Sequence, residues 1–417
     1  MLTRRQLVVG AAAAAPLIIG GCASTATSSS SSGTVDIKYW LWQDDATDPT
    51  WQNLATEFNG SQNKVKVTLE VIPLDQYQDK LVTAAANNTG PDCARSKEWW
   101  LGQFAPKGMV ADMTAQVNGW SGKADVINAL WATGKIPGKD LVYMMPHQYT
   151  TLYMYYRKDL FAAAGLQPPK TQADVIAAAK KLTDGSKQYG LDVRGGGGGQ
   201  DQWAAWMFAG GAEMVDNSGN VAITSAAAQK ANELYVQLAK DKLSPPGSVT
   251  AAFAAVKTNF TAGTTAMMIH HPGSLADMKK AHGDKLGVIP LPTADGSVGS
   301  TLGSMSGNVI LTGSQKKDAA FQWLAWLNTT DPMKKICAAV GGQLPVLTSV
   351  AKMSPFIDDA ALQVAVKAEE MAKTWPALPG VATLAAKDWG TIEQQAFLGQ
   401  ISSNQALEQI AKALQAK

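Results

Sequence analysis

The sequence predicts an α/β protein made of two lobes, and three observations support this fold class. The chain has 417 residues, more than one ordinary domain holds. Residues 35–41 and 65–71 alternate apolar and polar side chains as strands do, and each is followed by a helical apolar pattern, the order typical of a parallel sheet. Residues 152–156 form a short aromatic run that follows the polar residues 147–150. Such a segment can cross from one lobe to the other and present side chains to a ligand between them.

The composition indicates a globular protein with no bias toward nucleic acid. Hydrophobic residues make up 46% of the chain and charged residues 17%, so a large core can form. Without Arg4 and Arg5, which belong to a cleaved leader, 34 basic residues balance 34 acidic ones. This balance gives no electrostatic reason to bind nucleic acid or an anionic membrane surface. The 13 tryptophans suit contact with carbohydrate, although core packing is the commoner role of any single tryptophan.

The first 33 residues have the pattern of an export signal and a tether. Arg4 and Arg5 precede an apolar run, 7–21, which is shorter than the roughly 20 residues needed to span a bilayer. Residues 1–21 are therefore predicted to be a signal peptide, exported by either the general or the twin-arginine route. Cys22 closes the run and resembles the lipidated cysteine of bacterial lipoproteins. The Ser-rich segment 22–33 is then a flexible, lipid-anchored tether.

The first predicted strand ends at Trp42, Gln43, Asp44 and Asp45. A helix follows, in which Trp51, Leu54, Ala55 and Phe58 share one face. Ligands of parallel sheets bind beyond the carboxyl ends of strands. This rule selects the loop 42–45, and also the loop 96–100, which contains Glu98, Trp99 and Trp100.

The later part of the chain contains a second set of strands and helices. Thr171 and Asp174 fit a capping box at the start of a helix. The five glycines 195–199 form either a flexible loop or a place where the backbone approaches a ligand, and they lack the Lys-Ser/Thr of a phosphate loop. His270 and His271 follow a buried strand, and as strand neighbours they are predicted to face opposite sides and to share no metal.

Several segments, taken in order, resemble one family over nearly the whole mature chain. The chain is similar to the extracellular solute-binding proteins of bacterial ABC importers, in the carbohydrate-type family that includes the maltose-binding proteins. The matching segments are YWLW, KLVTAAANNTGPDC, FAPKGMVADMT, MPHQYTTLYMYYRKDLFAAAGLQPPKT, FAGGAEMVDNSGNVAITS, FTAGTTAMMI, VIPLP, FQWLAWLNTTDP, GGQLPV and ISSNQALEQIAKAL. Each segment is weak evidence alone, whereas their order and spacing together are specific.

The resemblance implies a periplasmic-binding-protein fold of type II, in which each lobe is a mostly parallel sheet flanked by helices. The implied first lobe comprises residues 34–148 and 290–345, and the second comprises 149–289 and 346–417. It also implies a monomer outside the membrane that closes on a sugar and docks to a permease, without a cofactor or metal. The family's ligand loops fall on Trp42, Gln43, Asp44, Asp45, Glu98, Trp99, Trp100, Gln148, Tyr149, Trp203, His270, His271, Gly303, Ser304, Met305, Gln343 and Trp375.

Other functions stay open at the level of sequence. Many sugar binders of this family carry an aromatic residue near Gly273, where this chain has none, and relatives that bind glycerophosphodiesters look similar in this region. A glycosidase would need two carboxylates at a set separation, for which Asp44 and Glu98 are available without a supporting motif. We therefore expect a binding protein and not an enzyme. Cys93 and Cys337 could pair or be separate buried thiols.

Overall fold

The computed structural model describes residues 33–43, 47–136, 139–216, 218–297, 299–339, 343–369, 371–376 and 378–416. The predicted signal peptide, Cys22, Asp44 and Asp45 lie outside the described residues. Within the described ranges, no helix combines the length and the apolar character that crossing a bilayer requires.

The described part of the chain contains ten strands. They are β1 (Val35–Leu41), β2 (Val65–Val71), β3 (Cys93–Lys97), β4 (Met145–Thr151), β5 (Tyr153–Arg157), β6 (Tyr189–Leu191), β7 (Thr265–His270), β8 (Leu286–Ile289), β9 (Gly303–Ile310) and β10 (Leu344–Pro345). The first lobe is built on a six-stranded sheet in the order β10-β4-β9-β3-β1-β2, and the second on a four-stranded sheet in the order β6-β7-β5-β8.

Helices cover both sheets. They are α1 (Thr50–Ser61), α2 (Leu74–Ala86), α3 (Leu101–Phe104), α4 (Thr114–Gly119), α5 (Lys158–Ala163), α6 (Gln172–Leu182), α7 (Gly199–Ala209), α8 (Ala226–Lys240), α9 (Phe253–Thr261), α10 (Leu275–His282), α11 (Lys317–Leu327), α12 (Thr330–Ala338), α13 (Thr348–Ala351), α14 (Ala360–Glu369), α15 (Val381–Thr383), α16 (Trp389–Phe397) and α17 (Ser403–Gln415). Helices α1 and α11 pack on the first sheet, whereas α6, α9 and α10 pack on the second.

Two α/β lobes are confirmed, but the prediction that each sheet is mostly parallel is wrong in detail. Among the described strands, β1 pairs in parallel with β2 and β3, and β6 pairs in parallel with β7. The remaining five strand pairs are antiparallel. The reason is that β4, β5, β8 and β9 belong to the segments that carry the chain between lobes. These strands do not return through a right-handed helical crossover, so nothing forces them to run parallel.

The strands show where the chain passes between the two sheets, and the exact lobe boundaries stay a prediction. Residues 147–150, expected to lie at the end of the strand 152–156 with side chains exposed to a cleft, belong to β4 and are buried within the first sheet. The chain then passes through Leu152 directly into β5 of the second sheet. Thr293 exchanges backbone hydrogen bonds with Lys170 and Gln172 of the second lobe, so the return crossing comes nearer to Leu302. The helix α13 packs on β10 and α12 of the first lobe.

Local predictions are confirmed where they rest on short-range physics. Helix α1 buries Trp51, Leu54, Ala55 and Phe58 as its period indicates. The Thr171 hydroxyl and the Asp174 carboxylate form the expected capping box at α6. Cys93 and Cys337 are both free thiols.

The glycine run 195–199 is packed against protein backbone. The N–H groups of Gly195 and Gly196 donate to the carbonyl groups of Ser248 and Ala251, at 3.0 and 2.9 Å. A β-carbon on Gly195 would lie 2.1 Å from the Val249 carbonyl oxygen. Glycine is needed here because two backbone segments approach closely, and the approach is to residues 248–251.

Candidate ligand-binding site

The first-lobe side of the site is a single 3₁₀ turn, Glu98–Trp100, which begins where β3 ends. All three side chains of the turn are buried. Trp100 packs edge-on against Trp42, which follows the neighbouring parallel strand β1, with ring centroids 5.6 Å apart. The carboxyl ends of β1 and β3 thus bring two predicted loops together, as the rule for parallel sheets requires.

Glu98 is held against strand β9 as a neutral acid. The Met305 N–H donates to its Oε2 atom at 3.0 Å, and the Ser304 hydroxyl donates to the same atom at 3.4 Å. Burial raises the pKa of Glu98 to about 8, and the negative charge of Asp201 adds to this effect. The carboxyl group is therefore mostly protonated at neutral pH. Because Oε2 accepts both hydrogen bonds, Oε1 is the oxygen available to carry the acid proton.

Three successive residues of this turn have a buried polar atom without a hydrogen-bond partner among the described residues. These atoms are Oε1 of Glu98 and the indole Nε1 atoms of Trp99 and Trp100. Buried polar atoms in folded proteins are nearly always paired, and each unpaired one costs about 1–3 kcal/mol. Other unpaired atoms are scattered through the core, but here three consecutive side chains combine the feature at the end of a strand. The turn is suited to hydrogen-bonding hydroxyl groups of a ligand.

The second-lobe side lies beyond the ends of β6 and β7. Arg194 follows β6, and His270 and His271 follow one another at the end of β7. The Phe253 ring stacks on the His271 ring, with centroids 5.2 Å apart and an interplanar angle of 19°. The Arg194 guanidinium lies 5.7 Å from the centre of the same phenyl ring. This edge is therefore cationic and aromatic, whereas the Glu98–Trp100 turn is uncharged and aromatic.

The prediction that His270 and His271 face opposite sides is wrong. Their ring centroids lie only 4.7 Å apart, because β7 ends at His270 and His271 already caps the turn Pro272–Ser274. Burial lowers the pKa of His270 well below its usual value, and burial together with Arg194, Lys257 and Lys97 lowers that of His271 to about 3. Both rings are neutral at physiological pH. No grouping of metal-ligating side chains occurs among the described residues.

The two edges face each other closely enough to interact electrostatically. The charge of Asp201, in the first turn of α7, raises the pKa of Glu98 in the other lobe, and that of Lys97 lowers the pKa of His271. Asp201 accepts a hydrogen bond from the Trp375 indole at 3.1 Å. Trp375 in turn stacks on Trp203, with centroids 6.4 Å apart. Trp203 is fully buried and donates to Asn232 at 2.7 Å, so it supports Trp375 from behind.

A cavity of about 510 Å³ adjoins the site at the strands that connect the lobes. Tyr149, Gly303, Ser304 and Met305 line it from the first sheet. The ion pair between Glu213 and Lys373 lies at its wall. Ser304 and Met305 also contact Glu98, so the cavity and the Glu98 turn are neighbours. None of the predicted tryptophans and neither of the predicted histidines lines this cavity.

Of the remaining predicted residues, Gln43 and Gln148 form hydrogen bonds within the protein. The Gln43 amide donates to the Asp48 carbonyl at 2.9 Å. Gln148 is buried and accepts from Arg95 at 3.1 Å. Gln343 is partly exposed, next to β10. The aromatic candidates Trp42, Trp99, Trp100, Tyr149, Trp203 and Trp375 are all at most 4% exposed, so none stands as an open platform in this conformation.

Arg194, Asp201 and Phe253 lie at the site without having been predicted from the sequence. Arg194 lies three residues beyond β6, so the carboxyl-end rule that selected residues 42–45 would have found it had this short strand been recognised. The prediction made for this part of the chain concerned the glycine run 195–199 that follows Arg194. No sequence pattern indicates Phe253. It is the first residue of helix α9, and no local spacing relates it to His270 or His271.

The sequence model of the bacterial extracellular solute-binding proteins matches residues 44–334, well over half of the chain. The protein belongs to this family. Its members are extracytoplasmic, as the family description states, so the predicted location outside the cytoplasm is confirmed.

Individual relatives agree with this assignment. A putative binding protein of Brucella abortus is 27% identical over 340 residues, which cover 80% of this chain and 81% of that protein. The diacetylchitobiose binding protein of Streptomyces coelicolor is 26% identical, over 85% of this chain and 81% of that one. An ABC transporter solute-binding protein of Thermotoga lettingae, solved with α-D-tagatose, is 25% identical. It superposes with a TM-score of 0.81 over 92% of this chain and 99% of that one.

Proposed function

We propose that this protein captures a sugar, as a monosaccharide or a short oligosaccharide, between its two lobes and delivers it to the permease of an ABC importer. The observation that carries the proposal is the Glu98–Trp100 turn, with three buried, unpaired polar atoms beside aromatic faces. A sugar offers hydroxyl groups to such atoms and C–H faces to such rings. The relatives that bind diacetylchitobiose and tagatose make this ligand class the first to test.

Each side of the site has a distinct role in this proposal. Protonated Glu98 and the Trp99 indole donate hydrogen bonds to ring hydroxyls from the first lobe. Trp375 and His270, whose Nε2 atom is also buried without a partner among the described residues, contact the sugar from the second lobe. A ligand that touches both lobes only when they are closed favours the closed state by its differential affinity.

The protein acts by binding alone in this proposal, and it stays at the cell surface through Cys22. Replacement of Cys22 by serine is then expected to release the folded protein from the membrane fraction into the medium. Retention of the Cys22→Ser protein in the membrane would contradict the lipid anchor without affecting the sugar proposal.

The test of sugar binding is thermal unfolding of the mature protein against panels of monosaccharides and oligosaccharides. A sugar at a hundredfold excess over its dissociation constant stabilises the protein by about 2.7 kcal/mol. Each hit is then incubated with the protein and examined by mass spectrometry. Unchanged ligand supports a binding protein, whereas a hydrolysis product would show an enzyme.

Delivery is tested in the native cell with the sugar found in the panel. Deletion of the gene is expected to abolish uptake of the radiolabelled sugar, and the full chain restores it. Unchanged uptake after deletion would separate the protein from import. Absence of stabilisation by any sugar would overturn the proposed ligand class.

A further inference from the structure

The Arg194 side chain is a buried cation without a counter-charge in contact. It is only 6% exposed, and its guanidinium group makes no hydrogen bond and no ion pair with any described residue. The Nε atom is buried and unpaired. Its nearest recorded contacts are the Phe253 ring at 5.7 Å and Gly198, where a β-carbon would lie 2.4 Å from Nη2.

This arrangement is unfavourable for the free protein. A guanidinium has five N–H donors, and it is normally buried only when carboxylates or carbonyl groups receive them. Burial lowers the pKa of Arg194, and the more distant charge of Asp201 only partly opposes this effect. Arg157 of the same lobe shows the usual solution, because its Nη2 atom lies 2.6 Å from the Asp159 carboxylate. Arg194 is thus a donor group that lacks its acceptor.

The position of Arg194 shows where that acceptor would enter. The side chain follows β6 and lies beside His270 and His271, at the edge of the second lobe that faces the Glu98–Trp100 turn. Both histidines there are neutral, and Lys257 and Lys97 are close enough to lower the pKa of His271. Asp201 is the one anion whose charge acts on Arg194 and His271 among the described residues, and it forms no ion pair with the guanidinium. The eleven-residue helix α7 also begins at this edge, and the positive end of a helix dipole favours an anion.

We propose that the ligand carries one anionic group, which the Arg194 guanidinium binds at the second-lobe edge of the cleft. This inference rests on the proposed function and narrows its substrate class from sugars in general to hydroxyl-rich anions. A carboxylate of a uronic acid and the phosphodiester of a glycerophosphodiester share the required chemistry. Either one presents two oxygens to the guanidinium fork.

The experiment compares matched probes that differ in charge. Galacturonate, which carries one carboxylate, is compared with neutral galactose, and glycerophosphoglycerol with glycerol, by calorimetric titration of the mature protein. Wild-type protein is expected to bind one of the two anions about 10- to 100-fold more tightly than its neutral counterpart, the usual strength of hydrogen bonds to a charged group. The anion that binds identifies the source of the negative charge.

Variants of Arg194 test whether this residue is responsible. Arg194→Gln is expected to abolish the preference for the anion, and Arg194→Lys to restore part of it, because lysine keeps the charge and loses the fork. The melting temperature of ligand-free Arg194→Gln is expected to equal or exceed that of wild type, since an uncompensated buried charge has been removed. Arg157→Gln is the matched control, which lowers stability and leaves the preference intact.

The possible results test the anionic subsite, the role of Arg194 and the proposed function separately. Tight binding of galactose with no preference for galacturonate or glycerophosphoglycerol would overturn the anionic subsite and leave the sugar proposal standing. A large loss of stability in ligand-free Arg194→Gln, with the preference unchanged, would show that the residue has a structural role. Absence of binding by all four probes and by the sugar panel would overturn the proposed function itself.

Discussion

Each lobe buries one arginine near the site, and the two surroundings differ. In the first lobe, Arg95 stacks 4.2 Å from the centre of the Trp42 ring and donates to the Trp42 carbonyl, Gln148 and Ser306. In the second lobe, the Arg194 guanidinium donates to no described residue. The comparison teaches that burial alone does not reveal the role of a charged side chain. A cation whose donors are used holds the protein together, whereas one whose donors are unused is available to a ligand.

The largest expected effect comes from removing the hydrogen bonds of Arg95 in the first lobe. Arg95→Met removes the donors of three buried acceptors while keeping most of the side-chain volume, so stability is expected to fall by about 3–5 kcal/mol. Urea unfolding followed by tryptophan fluorescence measures the loss. Arg194→Met is the matched control, in which no loss is expected. Equal losses in the two variants would remove the distinction between the two arginines.

The second prediction extends the comparison to two buried acids, Glu98 in the site and Glu393 in the core of the second lobe. Burial raises the pKa of each to about 8. In the unfolded chain their pKa is near 4.5, so between these values the folded state holds more protons than the unfolded state. Stability therefore falls as pH rises through this window, by at most about 1.4 kcal/mol per pH unit for each acid.

The contribution of these two acids to the pH dependence of stability is best measured between about pH 6.5 and 8. The buried His147, His270 and His271 have lowered pKa values, so they destabilise the fold only as pH falls below their ordinary value of 6.5. Glu393→Gln is expected to halve the slope of stability against pH in urea unfolding. Glu233→Gln, a change at an exposed acid of α8, should keep the wild-type slope. A full slope in Glu393→Gln would mean that this acid is ionised in the folded protein.

The smallest expected effect concerns the Glu98–Trp100 turn, the uncharged edge of the first lobe. Trp99→Phe removes the unpaired indole N–H and keeps an aromatic ring, so sugar binding is expected to weaken about 3- to 10-fold. Calorimetric titration measures this change. Because the lost N–H has no partner among the residues that the structure describes, stability without ligand should change by less than about 1 kcal/mol. Trp326→Phe, at a partly exposed ring on α11, is the control with unchanged affinity.

The outcome for the two histidines shows why parts of the site could not be predicted. The rule that strand neighbours face opposite sides is sound, but it applies only inside a strand, and β7 ends between His270 and His271. Residues 98–100 of the predicted loop 96–100 do follow the end of β3, whereas Ser96 and Lys97 belong to the strand. This position could be predicted because it depends only on the end of a strand, and the binding role of these residues stays a prediction. The partners of Glu98 on β9 lie 206 and 207 residues away, and no local pattern relates such distant positions.

Sequence by itself determined the elements whose causes are local. The buried face of α1, the capping box of α6 and the alternation in β2 follow from contacts within a few residues, and the family likeness supplied the two-lobe plan. Only the tertiary structure decided that the connecting strands run antiparallel. It also decided which tryptophans pack behind others, and which of the two buried arginines donates its side-chain hydrogen bonds to other residues of the protein. The physical reason is that periodicity reports that a side chain is buried, whereas the neighbours that receive it are brought there by the fold of the whole chain.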